Sequence, residues 1–373
     1  MKDCQVGDLP IWLGTQPNAN LETAPFGFTI GDHGLVRMAN QDIVARMVSA
    51  YSVEGYHFIT SPPGASDWGN ELARKSIQGL IDTYGSIEGK RVLEVGGGTL
   101  YSAETMISEF GAESVLLVDP AVVDEPSTDK ITVIRDYFGA DTPIDRPIDV
   151  IVSFNTLEHV PEPVAFLQAM SDRLAPEASL YLKLPECRQS LAIGDLGLCV
   201  HEHLSYFTPA SLDACLEVVG LKRVAEANYK GALQVLAKKA DPNPAARADE
   251  SEALLDGFDR NYRRHLDRLK SLIAEKGWRK VAFVGCSVGL CNTLNLSGLT
   301  DTVEIGLFDN DDLKKGQFLP GIDRPIDVPN RQALLGYDAI FITPVNFFDP
   351  ISDGLKKLLG DDAPTILPVF EEE

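Results

Sequence analysis

One stretch of the chain has the residue types and spacing to hold a charged, nucleotide-like ligand. Val92-Leu93-Glu94-Val95-Gly96-Gly97-Gly98-Thr99 is an apolar run that ends in an acid and breaks into three glycines ahead of a helix. Glycine has no Cβ, so the backbone can turn sharply and lie flat against a ligand, as it does after the first strand of doubly wound folds. A diphosphate fingerprint needs Gly-x-Gly-x-x-Gly. Gly96 and Gly98 fit it, but the sixth position is Tyr101, whose ring would crowd a diphosphate on the helix N-terminus. A second acid, Asp119, closes the apolar run Ser114 to Val118, 25 positions after Glu94. That is close to the spacing of a ribose-binding acid at the end of a second strand.

A second group follows the fifth strand: His201-Glu202-His203-Leu204-Ser205-Tyr206-Phe207. Open α/β sheets bind ligands at the carboxyl ends of their strands, so position alone makes this segment a candidate site. His203 could act as a general base, since an imidazole titrates near neutral pH, with Glu202 orienting it. Two other readings stand beside that one. The histidines could be surface residues, or alternation in an extended segment could put His201 and His203 on one face as metal ligands.

Smaller candidates line the same edge. Asn155 and Leu157 follow the fourth strand and are expected to touch a ligand bound at this edge, whereas Glu158 and His159 read as helix-start residues with local hydrogen bonds as readily as chemistry. Asp136, Tyr137 and Phe138 follow the third strand, where a carboxylate and an aromatic could grip a base. Gly285-Cys286-Ser287-Val288-Gly289 has the outline of a nucleophile elbow. A triad needs its histidine downstream of the serine, and the last histidine is His265. A glycine turn in a second nucleotide-type fold is the better account.

The elements that position these groups alternate. A helical pattern from Trp68 to Tyr84 leads into a strand at Arg91 to Val95, and further strands read at Ser114 to Val118, Ile131 to Arg135, Asp149 to Phe154 and Leu180 to Leu184. Two closing runs, Arg223 to Ala227 and Leu233 to Ala237, complete a largely parallel sheet covered by helices. Residues 1–65 read as a small irregular cap, 66–240 as the main α/β domain and 241–278 as a linker with a long amphipathic helix through Leu255, Phe258, Tyr262, Leu266, Leu269 and Ile273. Residues 279–373 read as a second Rossmann-like α/β domain. The long helix reads as a strap between domains.

Composition narrows the function. A chain of 373 residues suggests two or three domains. The net charge of -22 disfavours nucleic acid and anionic membranes, which call for clustered Lys and Arg. No apolar run approaches the roughly 20 residues that span a bilayer, and no secretory leader is evident, so a cytoplasmic enzyme is expected. The six cysteines are scattered and expected to be reduced.

The glycine turn with Glu94 and Asp119 resembles the S-adenosylmethionine motifs of class I methyltransferases. That ligand has no phosphate and presents an amine and ribose hydroxyls to acids. The resemblance implies a seven-stranded Rossmann-like fold. More specifically, the chain resembles the C-methyltransferases of deoxysugar biosynthesis, which act on nucleotide-linked keto sugars. The resemblance rests on Leu13-Gly14-Thr15-Gln16-Pro17-Asn18-Ala19-Asn20 with Gly34-Leu35-Val36, on His201 to Thr208, and on Asn292-Thr293-Leu294-Asn295 with the run Asp309 to Gly321. It implies that His203 removes a proton beside the sugar ketone, that Glu202 orients it with Tyr206 in the same segment, and that the resulting enolate attacks the sulfonium methyl. It also implies that the C-terminal domain helps hold the nucleotide sugar.

Several departures stand out. The family's zinc module has two cysteine pairs, where this chain has Cys4, Gly7, Ile30 and His33, at most two ligands for a metal that needs four, so no metal is expected. Val200 replaces a tyrosine, Lys230-Gly231-Ala232-Leu233-Gln234 replaces a conserved-looking substrate element, and a lysine is missing around Gly289. The expectation is a methyltransferase with its cofactor side intact and a changed small-molecule acceptor, acting as a monomer or homodimer. The alternatives are N-, O- or C-methylation of another natural-product intermediate, and a cofactor-binding protein without catalysis.

Overall fold

The computed structural model describes residues 3–51, 63–64, 66–229 and 231–370, so Lys230 of the altered element lies outside the described residues. Along the chain run strands β1 (Asp3–Pro10), β2 (Thr23–Ile30) and β3 (Val36–Met38), then helices α1 (Val44–Tyr51) and α2 (Asp67–Tyr84). An alternating series follows: β4 (Arg91–Val95), α3 (Tyr101–Ser108), β5 (Ser114–Val118), β6 (Ile131–Ile134), β7 (Val150–Phe154), α4 (Pro163–Arg173), β8 (Ser179–Pro185) and α5 (Arg188–Ile193). After β9 (Ser205–Tyr206), α6 (Pro209–Val218), β10 (Leu221–Tyr229) and β11 (Ala232–Lys239) comes the long helix α7 (Ser251–Lys276). The C-terminal series is β12 (Lys280–Val284), α8 (Val288–Ser297), β13 (Glu304–Phe308), β14 (Ile326–Asp327), α9 (Arg331–Leu334), β15 (Ala339–Ile342), α10 (Phe348–Leu359) and β16 (Thr365–Pro368). No helix among the described residues is long and apolar enough to cross a membrane.

Contacts divide the chain into two compact units, one made of Ile30–Cys187 and Glu202–Ser251, the other of Met1–Thr29, Arg188–His201 and Glu252–Glu373. The first is built on a seven-stranded sheet in the order β10-β11-β8-β7-β4-β5-β6, parallel except for β11, which runs antiparallel between β8 and β10. Its strands are buried on both faces, which explains their continuous apolar character. Leu93 and Val95 join the core on one face with Leu182 and Leu184, while Val92 joins the opposite core with Tyr181 and with Ile77 and Leu80 of α2. Helix α2 is fixed at its start by Ser66, whose side chain accepts from the Gly69 N–H, and ends at Gly85. Strand order reverses at β4, which has β5 on one side and β7 on the other. This switch point is where such sheets bind ligands.

The second unit contains a five-stranded, all-parallel sheet in the order β14-β13-β12-β15-β16. Its opening turn repeats the same three kinds of bond, with the middle donor one residue earlier. In the first, Gly96 N–H donates to Val118 O (3.0 Å), Gly98 N–H to Asp119 Oδ2 (2.9 Å) and Ala121 N–H to Asp119 Oδ1 (2.7 Å). In the second, Gly285 N–H donates to Phe308 O (2.9 Å), Cys286 N–H to Asp309 Oδ2 (2.8 Å) and Asp311 N–H to Asp309 Oδ1 (3.0 Å). Although no lysine lies next to Gly289 in sequence, Lys314 reaches this turn, with its Nζ 2.8 Å from Asp309 Oδ2 and 3.2 Å from Cys286 O.

The first thirty residues are more regular than their Pro and Gly content implies. β1 and β2 form an antiparallel pair from Asp3↔Thr29 to Pro10↔Thr23, with a register shift between Gln5 and Gly7. Cys4, Val6 and Leu9 turn inward from β1. The two residues at former zinc positions have other partners: Cys4 Sγ lies 4.0 Å from Asp259 Oδ1, and His33 Nδ1 lies 3.0 Å from Ala246 O.

Gly34 sits at φ +75°, and a Cβ there would meet Ala248 O at 2.0 Å. Gly34→Ala should therefore lower stability by more than about 1 kcal/mol, read as a lower urea midpoint. An unchanged midpoint would show that this contact yields without cost.

Candidate functional site

A cavity of about 800 Å³ opens at the carboxyl edge of the first unit's sheet. Its size suits a small-molecule cofactor with part of an acceptor. The glycine turn forms one wall: Gly96 and Gly98 have φ of +78° and +66°, a conformation that residues with a Cβ rarely adopt. Thr156 packs so closely on Gly96 that a Cβ there would lie 2.2 Å from Thr156 Oγ1.

Two acids on this wall differ in their surroundings. Asp119 is satisfied in part by the Gly98 and Ala121 N–H groups. Glu94 is fully buried and lines the cavity, yet neither carboxylate oxygen has a hydrogen-bond partner. Burial, with the nearby Asp119 charge adding to it, pushes its pKa up to about 8. A buried, unsatisfied carboxyl at a ligand wall is what a ligand ammonium would complete.

The cavity wall also gathers ionisable groups from two loops. Glu158 and His159 form a short turn after β7, and Glu202 and His203 precede β9. His159 Nδ1 lies 3.0 Å from Glu202 O and acts as donor to it, so Nε2, 3.7 Å from Glu158 Oε1, has no proton in the neutral ring. The His159 and His203 rings meet edge to face with centroids 4.8 Å apart. Burial lowers the pKa of His159 to about 4 and holds that of His203 well below the usual imidazole range, with His159 adding to the effect. Glu158 is pushed up to about 8 by burial, and Glu202 is raised well above the carboxylate range by burial and by Glu158. At neutral pH, therefore, both imidazoles are neutral and unprotonated at one nitrogen, and burial holds the two carboxyls toward their protonated forms. Ligand atoms of Glu158, His159 and His203 lie within 4.8 Å of one another, a spacing that could also hold a metal ion.

The structure brings together most, but not all, of the expected residues. Glu94, Gly96, Gly98, Asp119, Tyr137, Asn155, Glu202 and His203 line the cavity. Asn155 does so in a left-handed conformation (φ +50°), its N–H donating to Lys183 O at 2.7 Å. Tyr137 donates through its hydroxyl to Val48 O, and Phe138 stands beside it on the wall. Three candidates are placed elsewhere. Leu157 is 1 % exposed inside the hydrophobic core, because the turn after β7 points it inward. Asp136 turns its carboxylate to the Tyr137 N–H and is not on the cavity wall. Tyr206 is fully buried in the short strand paired with Val36, behind His203 at a ring separation of 6.3 Å.

The alternation argument for His201 fails because residues 201–202 form a turn. His201 stacks edge-on against Phe26 and its Nε2 faces Ala24 O. Conversely, Glu158 and His159 proved to be wall residues. So did Lys183, which the sequence could have revealed: it is a lone charge in the otherwise apolar strand Ser179 to Pro185.

Residues 69–226 match the family model of the methyltransferase domain. The chain is a class I S-adenosylmethionine-dependent methyltransferase. It is 24 % identical over 340 residues to the C-methyltransferase NovU of Streptomyces niveus, covering 82 % of this chain and 79 % of that one. Solved structures similar to it include the 1,6-didemethyltoxoflavin-N1-methyltransferase of Burkholderia thailandensis (17 % identity, TM-score 0.38, covering 58 % of this chain and 96 % of that one). A DhpI-SAM-HEP complex is another (17 % identity, TM-score 0.40, covering 54 % and 99 %). The glycine turn, Glu94 and Asp119 stand at the switch point of the seven-stranded sheet, on the wall of its cavity.

Glu94 also gives this methyltransferase a pH signature in the ligand-free state. Its folded pKa of about 8 exceeds the unfolded carboxylate value, so the folded state binds more protons between roughly pH 4.5 and 8 and loses stability as pH rises through that window. Glu94→Gln removes this loss. The stability difference between variant and wild type should grow in the variant's favour from pH 5 to pH 8, measured by chemical denaturation. A difference independent of pH would show that Glu94 is ionised in the fold.

Proposed function

We propose that this methyltransferase transfers a methyl group to a carbon of a small keto compound, with a nucleotide-linked keto sugar as the leading acceptor. The observation that carries this reading is the pairing of a donor wall with a buried, neutral imidazole. His203 has an unprotonated nitrogen at rest, lines the same cavity, and is flanked by two carboxyls that can release protons. The resemblance of the His201 to Thr208 segment to the catalytic segment of deoxysugar C-methyltransferases supports it, as does the likeness to NovU, itself named a C-methyltransferase.

The bound donor supplies a methyl group on a positively charged sulfur. Glu94 would hold its amine, Asp119 would accept from its ribose hydroxyls, and Tyr137 and Phe138 would face its base. His203 would take the proton from the carbon beside the acceptor's ketone, leaving an enolate whose carbon accepts the methyl while the donor leaves as S-adenosylhomocysteine. Glu202, through its backbone carbonyl, fixes the ring of His159, and His159 packs on His203 edge to face, so the base is oriented without being charged. Ionisation of Glu158 or Glu202, with its proton passing to solvent, would offset the positive charge that then forms on the imidazole. Residues 279–373 are assigned to the nucleotide part of the acceptor, on the resemblance of Asp309 to Gly321 to that family's C-terminal domain.

Incubation with S-adenosylmethionine and a panel of nucleotide keto sugars should give a product about 14 Da heavier. His203→Ala should lower turnover at least 100-fold, the lower bound for a lost general base, with S-adenosylhomocysteine affinity unchanged. No heavier product with any sugar would remove the sugar reading and favour another small natural-product acceptor. Wild-type turnover in His203→Ala would remove His203 as the base.

A further inference from the structure

Lys183 has no part in the chemistry above, and its position is unusual. It lies in the middle of β8, is 4 % exposed, and is the only Lys or Arg among the described residues that line the cavity. Its ammonium donates to Ser76 Oγ at 2.7 Å, while Ser76, itself 3 % exposed on α2, passes its own proton to Leu72 O. An ammonium has three N–H groups, and Ser76 takes one.

The register fixes where this cation stands relative to Glu94. Lys183 pairs with Phe154 and Glu94 with Val152, on strands β8 and β4 that flank β7. Neighbouring strands are about 4.8 Å apart, so the two residues stand about 10 Å apart across the sheet, with Lys183 two positions nearer the carboxyl edge. Both point to the same face: Leu93, Val95, Leu182 and Leu184 belong to the opposite core, while Val92, Tyr181 and the α2 residues Ile77 and Leu80 belong to this one. Yet the pair does not neutralise itself. The charge that acts on Glu94 is Asp119, the one that acts on Lys183 is Glu158, and both groups are held toward their neutral forms by burial.

A buried acid and a buried base on one face of a cavity, each incomplete and not paired with the other, match the two ends of an α-amino acid. We propose that Lys183 and Ser76 bind the methionyl carboxylate of the methyl donor, as the counterpart of Glu94 at its amine. This assignment rests on the donor reading above and adds its anionic contact. The ammonium, held in place by Ser76 Oγ, donates its remaining N–H groups to the carboxylate, which restores the charged state that burial disfavours and makes binding selective for the intact amino acid.

Calorimetric titration of the full-length protein tests the assignment without turnover, using S-adenosylhomocysteine and its decarboxylated analogue, identical except for the carboxylate. Wild type should bind the decarboxylated analogue about 10- to 100-fold more weakly, the range for a lost charge-assisted contact. Lys183→Met should lose that factor for S-adenosylhomocysteine and bind both ligands alike, and Ser76→Ala should show a smaller loss in the same direction. The wild-type comparison keeps the test valid if a variant fails to fold. Equal wild-type affinity for both ligands would overturn the assignment, as would a Lys183→Met loss of equal size for both. Unchanged donor affinity in Lys183→Met with a raised acceptor KM would move the lysine to the acceptor and overturn it too. No binding of either ligand by wild type would instead overturn the donor reading itself.

Discussion

The carboxylate of Asp119 ties the first unit's site together. By accepting from the Gly98 and Ala121 N–H groups it locks the turn after β4 to the end of β5. The left-handed glycines then hold the backbone open as a ligand wall, with Thr156 packed against Gly96 from the β7 side. Without that carboxylate, two turn N–H groups at the switch point would lose their acceptor. The second unit repeats the device with Asp309 and the turn at Gly285, so the same solution to joining a parallel strand to a helix appears twice in one chain.

Once the wall is fixed, charge distribution does the rest. The cavity contains more ionisable groups than the structure neutralises: Glu94 without hydrogen-bond partners, Lys183 on a single hydroxyl, and two carboxyls beside two neutral imidazoles. A fold stabilised only for its own sake would not leave these groups buried and incomplete. Groups left incomplete in this way are the ones that a charged ligand would satisfy.

The parallel strands were legible because burial on both faces leaves continuous apolar runs; β4 and β5 stand where those runs put them. The glycine turn and its two acids were legible because few other functions need that sequence of residue types. The first thirty residues were not, since β1 alternates its buried residues with exposed Asp3, Gln5, Gly7 and Asp8, and both strands contain the proline and glycine that usually mark turns. Leu157 and Tyr206 were misplaced for a related reason: proximity in sequence to a site says nothing about which way a turn aims a side chain. Leu157 turns into the core and Tyr206 into a strand pairing. Glu158 and His159 had the opposite fate, because their role depends on Glu202 and His203, some 43 residues away in sequence.

The central claim is that a carbon nucleophile, freed by His203, takes the methyl group. Turnover with a donor carrying 13C in its methyl and an acceptor 13C-labelled beside the ketone, followed by NMR of the product, tests it most directly. The account predicts a new methyl signal split by one-bond 13C–13C coupling to that carbon. A labelled methyl without that coupling, with the shift of an O-methyl or N-methyl group, would contradict it.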